Sequence, residues 1–229
     1  MQSPNMKFTF YGHSCFAVET GGKKLLFDPF ITGNELAKSV DVNKIEADFI
    51  LASHGHSDHV GDLVDIARRT GACVVGAYEV VMWAQRNGVQ NIRPLNLGSV
   101  MLEFGKLNFL PAAHSSTNPD GTPGGSPGGF LVHGDKNFYF AGDTCLTMDM
   151  QLVPRYAKPD FAILPIGGNF TMDVDDAVIA ADFIQCDKII GVHFDTFGYI
   201  KIDHEAAKAK FKAAGKELIL PAIGETIEL

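Results

Sequence analysis

Positive charge is scarce in this chain: 19 lysines and arginines stand against 27 aspartates and glutamates among 229 residues, a formal net charge of -8. With no basic run, neither a broad nucleic-acid footprint nor attachment to an anionic membrane is expected, and the expected partner is a small molecule. Long apolar runs are missing too. No stretch reaches the ~20 apolar residues that cross a bilayer, and the opening Met1-Gln2-Ser3-Pro4-Asn5 lacks a basic, hydrophobic leader; cytoplasm is therefore the default location. Cysteine is sparse and scattered at Cys15, Cys73, Cys145 and Cys186, with no Cys-x-x-Cys pair, so the four read as reduced and mostly buried. Neither a Ser- or Pro-rich linker nor an internal repeat divides the chain, and residues 1–229 read as one domain. At 46% hydrophobic and 20% charged residues, that domain can bury a large core.

What is present is concentrated in His54-Gly55-His56-Ser57-Asp58-His59. Three imidazoles and a carboxylate in one short turn suit zinc, manganese or iron. These four potential ligands exceed the three protein ligands that a catalytic zinc usually takes, so two ions are more natural than one. The bland alternative is a histidine-rich surface loop, but a purely structural loop has no need of such a cluster beside an apolar strand. That strand is the run 48–53, and after the motif Val60, Leu63, Val64, Ile66 and Ala67 recur at helical spacing up to Gly71, a stop signal. The ligand turn thus sits between strand and helix, at the carboxyl end of a strand, where ligands gather in open α/β layers.

The remaining elements alternate. Strands are expected over 7–11, 15–19 and 24–27, then 100–104, 107–110, 130–132, 137–140, 161–165 and 188–194; helices are expected over 78–87, 174–184 and 204–214. Periodicity alone defines only an α/β protein.

With these residues the chain resembles the metallo-β-lactamase superfamily, whose members carry His-x-His-x-Asp-His after a strand and take their other ligands from later loops. Three later positions match: His114 in Pro111-Ala112-Ala113-His114, Asp143 in Phe140-Ala141-Gly142-Asp143, and His193 closing Lys188-Ile189-Ile190-Gly191-Val192-His193. The resemblance implies a four-layer αββα sandwich. His54, His56 and His114 would hold one metal and Asp58, His59 and His193 the other, with Asp143 bridging. Asp28, ending Leu25-Leu26-Phe27-Asp28, would lie beneath the metals and orient their ligands, although Asp28 before Pro29 is also an ordinary turn starter. Tyr11-Gly12-His13-Ser14-Cys15-Phe16 and Gly167-Gly168-Asn169-Phe170-Thr171-Met172 narrow the likeness to the uncharacterised metal-dependent hydrolases related to ascorbate-phosphate lactonases.

The implied cofactors are two divalent metal ions, zinc first, with manganese, nickel or iron as alternatives. Two cations ~3.5–4 Å apart lower the pKa of a bridging water toward ~7, so the expected nucleophile is hydroxide oriented by Asp58 or Asp143. His13 is expected either to meet substrate or donate a proton, or to be a hydrogen-bonded structural residue. Asn169 and Thr171 are expected substrate contacts. The glycine- and proline-rich segment 115–129 is either a surface turn or a wall of the site, and His133 and His204 read as surface residues. The substrate is a small ester, lactone or thioester. A phosphodiester is the second reading, and a non-catalytic metal-binding module the reading of another class. A bridging Asp143 sets the chain apart from antibiotic-hydrolysing relatives, so negligible β-lactamase activity is expected. Related hydrolases often assemble, which leaves room for a homo-oligomer.

Overall fold

A computed structural model describes residues 6–229; the reading of the opening five residues lies outside the described residues. Two seven-stranded sheets form the centre of the molecule. The first comprises β1 (Lys7–Gly12), β2 (Cys15–Thr20), β3 (Lys23–Phe27), β4 (Phe49–Ala52), β5 (Cys73–Ala77), β6 (Ile92–Leu95) and β14 (Thr226–Glu228), in the order β14-β1-β2-β3-β4-β5-β6. The second comprises β7 (Gly98–Leu102), β8 (Gly105–Pro111), β9 (Gly128–His133), β10 (Asn137–Phe140), β11 (Phe161–Pro165), β12 (Lys188–Val192) and β13 (Glu217–Ile219), in the order β13-β12-β11-β10-β9-β8-β7. In each sheet an antiparallel meander gives way to parallel strands, from β3 to β6 and from β10 to β13.

Helices cover the outer faces. Two short segments, α1 (Ser57–Val60) and α2 (Leu63–Thr70), follow β4, and α3 (Tyr78–Arg86) lies on β5 and β6. On the other side α4 (Val153–Tyr156) precedes β11, while α5 (Val174–Phe183) packs on β11 and on α6 (His204–Ala213), which lies on β13. The order helix, sheet, sheet, helix is the αββα sandwich.

Phenylalanines zip the sheets together. Phe27 of β3 stacks on Phe16 of β2 at 4.6 Å between centroids, and meets Phe130, Phe138 and Phe140 of the second sheet edge-on at 5.8–6.0 Å. All five rings are fully buried, and each contributes about 1.5–3 kcal/mol by leaving water. Period-two alternation sends the next residues outward to the helices: Leu131, Tyr139, Ala162 and Leu164 share a second apolar cluster with Ala177, Ala181 and Phe211.

The expected helix after the histidine-rich turn is split. Asp62 does not cap α2; its Oδ2 accepts the Ile31 and Thr32 amides at 2.6 and 2.9 Å, tying the helix to the loop after β3. Gly71 ends α2 as expected, at φ 74, and Asp173 caps α5 by accepting from the Asp176 amide. Strands β5, β6, β13 and β14 add to the expected set; each is only three to five residues long and is defined by its neighbours' hydrogen bonds more than by its own pattern.

Candidate metal centre

Strand direction places the site. β1 and β3 run parallel through the antiparallel β2, and β8 and β10 through β9, so β1, β3, β4, β8, β10, β11 and β12 deliver their carboxyl ends to one edge of the sandwich. There stand His13 after β1, Asp28 after β3, the turn 54–59 after β4, His114 beyond β8, Asp143 beyond β10 and His193 after β12. His13, Asp28 and His193 turn off their strands with φ of 54, 41 and 56°, left-handed conformations that cost of order 1–3 kcal/mol each and persist only where the surroundings impose them. The His193 amide donates to the His13 carbonyl at 2.9 Å, joining the ends of β1 and β12. Close approach explains two glycines: a Cβ on Gly142 would lie 2.7 Å from the Gly128 carbonyl and 3.0 Å from Ser53 Cβ, and one on Gly55 would lie 2.5 Å from Asn118 Oδ1.

The ligand-type side chains converge as two groups around one carboxylate. The ring nitrogens of His54, His56 and His114 form one group, and Asp58, His59, His193 and His13 form another, with donor atoms within 4.8 Å of one another in each. Between them Asp143 Oδ2 lies 3.0 Å from His193 Nε2, 3.2 Å from His59 Nε2, 3.6 Å from His114 Nε2 and 4.0 Å from His54 Nε2. Asp28, fully buried, accepts the Ser53 amide at 2.7 Å and the Ser53 hydroxyl at 2.6 Å, and faces His59 Nδ1 at 2.7 Å. Because Ser53 Oγ–H donates to Asp28, that oxygen is left to accept from His54 Nδ1 at 3.0 Å. One carboxylate therefore anchors both rings at Nδ1, leaving Nε2 of His54 and His59 turned to the centre. A third grouping of Asp28 with His54 and His59 is this hydrogen-bond relay rather than an ion cradle.

Electrostatics fit a cation. Burial acts to raise the Asp143 carboxyl, but His59 and His193 hold it well below the usual carboxylate range; burial acts to lower His59, but Asp143 and Asp28 hold it well above the usual imidazole value. Burial drives His54 well below that value, and lowers His56 and His114 against the pull of nearby carboxylates. Asp143 Oδ1 is buried with no hydrogen-bond partner, and His59 Nε2 meets only the Asp143 carboxylate, at 3.2 Å, a costly state that a divalent ion resolves.

His13 turns inward. Its side chain is fully buried and absent from the lining of the cleft above the centre; Nε2 lies 3.0 Å from Asp58 Oδ2 and Nδ1 2.9 Å from Thr196 Oγ1. Burial, reinforced by His193 and His59 and opposed by Asp58, pushes its pKa down to about 4, so the neutral ring donates from Nε2 to Asp58 and accepts the Thr196 hydroxyl at Nδ1. Of the two expected roles the geometry matches the hydrogen-bonded one, acting on Asp58. Burial acts to raise Asp58, yet this bond and the nearby His59 bring its carboxyl below the usual range.

The expected contacts Asn169 and Thr171 do not line the cleft; Phe170, between them, does. Asn169 is exposed in a left-handed turn at φ 58, and Thr171 Oγ1 donates to the Met172 carbonyl at 3.2 Å. From the segment 115–129 only Ser115 reaches the cleft, at 3.3 Å from His56 Nε2. The rest is a prop: Ser116 Oγ accepts the Gly55 amide at 3.1 Å, and buried Asn118 packs beneath Gly55. Ser53, Asn118, Thr196 and the cleft aromatics carried no sequence signal of their own, although Ser53 adjoins the motif. The cysteines are all free, as expected, but only Cys15 and Cys186 are buried, while Cys73 is half-buried and Cys145 exposed. His133 bonds Asn108 and His204 bonds Asp195, away from the centre. Among the described residues no helix is long and apolar enough to cross a membrane.

An αββα sandwich with histidines and aspartates gathered at its strand ends defines the class of metallo-hydrolases. A profile described as Beta-lactamase superfamily domain matches residues 7–193. A UPF0173 metal-dependent hydrolase from Flavobacterium johnsoniae is 55% identical over 226 residues, covering 98% of this chain and 100% of that protein; another, from Methanopyrus kandleri, is 40% identical over 231 residues, covering 97% and 100%. Among solved structures, a metallo hydrolase from the archaeon Ignicoccus hospitalis superposes with a TM-score of 0.89 at 33% identity over 98% of both chains. An isothiocyanate hydrolase from Delia radicum gut bacteria superposes at 0.81 with 19% identity, covering 98% of this chain and 99% of that one, a likeness of fold. The chain belongs to the beta-lactamase superfamily and, within it, to the UPF0173 metal-dependent hydrolases.

Proposed function

We propose that this metal-dependent hydrolase is binuclear and cleaves a small ester, lactone or thioester. His54, His56 and His114 would hold one ion and Asp58, His59 and His193 the other, with Asp143 between them and zinc the first candidate. The observation that carries the reading is the position of Asp143 Oδ2, within 4.0 Å of Nε2 atoms from both histidine groups. Both sheets contribute ligands, so the whole chain acts as one domain.

Two divalent cations, when bound, would polarise the substrate oxygen and activate a water. The protein's part is orientation. Asp28 and Ser53 hold His54 and His59 with Nε2 facing the centre. His13 holds Asp58 by Oδ2, leaving the other oxygen of this cleft-lining carboxylate to orient the attacking water. No serine nucleophile is called for. Metal analysis of the full chain, stripped and reloaded with zinc, manganese, nickel or iron, tests the reading beside turnover of a thioester, a lactone and bis-p-nitrophenyl phosphate. Two ions per chain with metal-dependent cleavage of a carboxylic substrate is the expected result. Saturation at one ion refutes the binuclear site, and cleavage of the phosphodiester alone reassigns the bond.

A further inference from the structure

The cleft over the centre encloses about 940 Å³, at the upper end of volumes that hold small organic ligands. Its floor is polar and its walls are aromatic. Phe30 and Phe197 stand edge-on against His13, at 5.7 and 5.3 Å between ring centroids. Phe30 is seated by design of the backbone around it: a Cβ on Gly33 would lie 2.5 Å from its ring and one on Gly61 3.3 Å, and Asp62 grips the two amides that follow it. Farther out, Phe170 from the loop after β11 and Tyr199 from the loop after β12 meet edge-on at 6.3 Å. They are 51% and 79% exposed, so this outer pair faces solvent where a ligand would enter. No lysine or arginine among the described residues lines the cleft, and the chain carries a net charge of -8.

From this we infer that the substrate carries an uncharged alkyl or aryl group next to the scissile carbonyl, seated between Phe30 and Phe197 and closed over by Phe170 and Tyr199. The inference rests on the hydrolase reading above and extends it to a substrate class. An apolar group placed there leaves water for the cleft-facing sides of these rings. A carboxylate or phosphate in the same place would be desolvated against Phe30 and Phe197 without a counter-charge, which is strongly unfavourable. Cations at the floor would attract charge on the scissile group itself, but they do not serve a second anionic group at the walls. The binding surface therefore disfavours sugar phosphates and dicarboxylic half-esters.

The test compares p-nitrophenyl pentanoate with mono-p-nitrophenyl glutarate, acyl chains of equal length that differ in one terminal carboxylate, on the zinc-loaded full chain. Alongside it, calorimetry measures the binding of 5-phenylpentanamide and of glutaric acid monoamide to the metal-free protein. The pentanoate is expected to exceed the glutarate in kcat/KM by about tenfold or more, and the phenyl amide alone to bind. The double variant Phe170→Ala/Tyr199→Ala is expected to reduce that ratio by about tenfold, the scale of losing two aromatic contacts. Tyr199→Lys, at a site exposed enough to leave folding intact, is expected to shift preference toward the glutarate. Equal or better turnover of the glutarate, or an unchanged ratio in both variants, overturns the substrate class and leaves the hydrolase reading standing. Phenyl amide binding lost in the double variant, with neither ester cleaved, supports the apolar site and removes the ester reading instead.

Discussion

The floor and the rim of the cleft are built on opposite terms. The floor is made of groups that water solvates well, imidazoles and carboxylates, taken out of water and pressed together; Asp28, His54 and His59 are fully buried. Such groups stay in place only because strand ends aim them and partners occupy their second atoms, as Asp28 does for His59 Nδ1 and Ser53 for His54 Nδ1. The rim is made of groups that water solvates poorly, left in water: Phe170, Phe197 and Tyr199 are 51, 37 and 79% exposed. Only Phe197 among them packs on a buried ring, that of His13. The floor therefore draws on the stability of both sheets, strained backbone included, whereas the rim draws on almost none of it. Chemistry should be coupled to folding at the floor and uncoupled from it at the rim.

The strongest test of the contrast is Asp143→Asn. It keeps the shape of the side chain and removes its charge, so His59 and His193 lose the carboxylate that faces both. Substituting a residue that merely supports a metal ligand costs about 10- to 100-fold in affinity or activity; substituting the shared carboxylate should exceed that range. Mass spectrometry of bound metal and kcat/KM on a carboxylic ester check it, and retention of full metal content would undo the bridging role.

His13 supplies the next test, through pH. Its pKa stands at about 4 in the fold and near 6.5 in an unfolded chain. Between these values the unfolded state binds the extra proton, so stability rises with pH across the window and is lost as pH falls from about 6.5 toward 4, by up to about 3 kcal/mol. His13→Asn tolerates the left-handed backbone and has no such proton to bind. Denaturant midpoints of the metal-free proteins should therefore converge as pH falls through this window, and parallel acid limbs would refute the assignment.

Legibility in the sequence followed the same division. The turn 54–59 could be read directly because its ligands adjoin one another, and two ions could be argued from their number alone. Asp28, His114, Asp143 and His193 each close an apolar strand, which marks a place for a ligand, but a single histidine or aspartate at a strand end has no distinctive spacing; the family resemblance singled them out. Their convergence depends on seven strands sharing one direction, which no local pattern records. The rim left no trace, because an aromatic residue in a loop looks the same whether it packs inward or borders a cleft. Asn169 and Thr171 could be placed on the loop after the strand 161–165, yet Phe170, between them, is the residue that faces the cleft. The short strands β5, β6, β13 and β14 were hidden for a related reason, since their identity lies in pairing with neighbours.

Asp28→Ala probes the layer under the floor. The ligands themselves remain, but His59 loses its Nδ1 partner and the Ser53 hydroxyl loses its acceptor, so both imidazoles are freed to rotate and change tautomer. A fall in metal affinity of about 10- to 100-fold is expected, measured by competition with a chromogenic chelator. Unchanged affinity would mean that strand geometry alone aims the imidazoles and that the relay through Ser53 is decoration.

The smallest expected effect is the most exacting for the contrast. Tyr199→Ala and Phe170→Ala remove large side chains, and in a core such changes would cost several kcal/mol. At the rim each ring is more than half exposed and its nearest aromatic partner is the other ring, at 6.3 Å, so each substitution should move stability by no more than about 0.5 kcal/mol and leave bound metal unchanged. Thermal unfolding of the metal-loaded and metal-free proteins provides the measurement. If either substitution lowers metal content or the unfolding temperature substantially, the outer pair is a structural lid on the floor, and the separation between a fold-coupled floor and a free rim fails. If neither does, the two loops that carry these rings can change what the cleft accepts while the strand ends beneath them continue to hold the same metals.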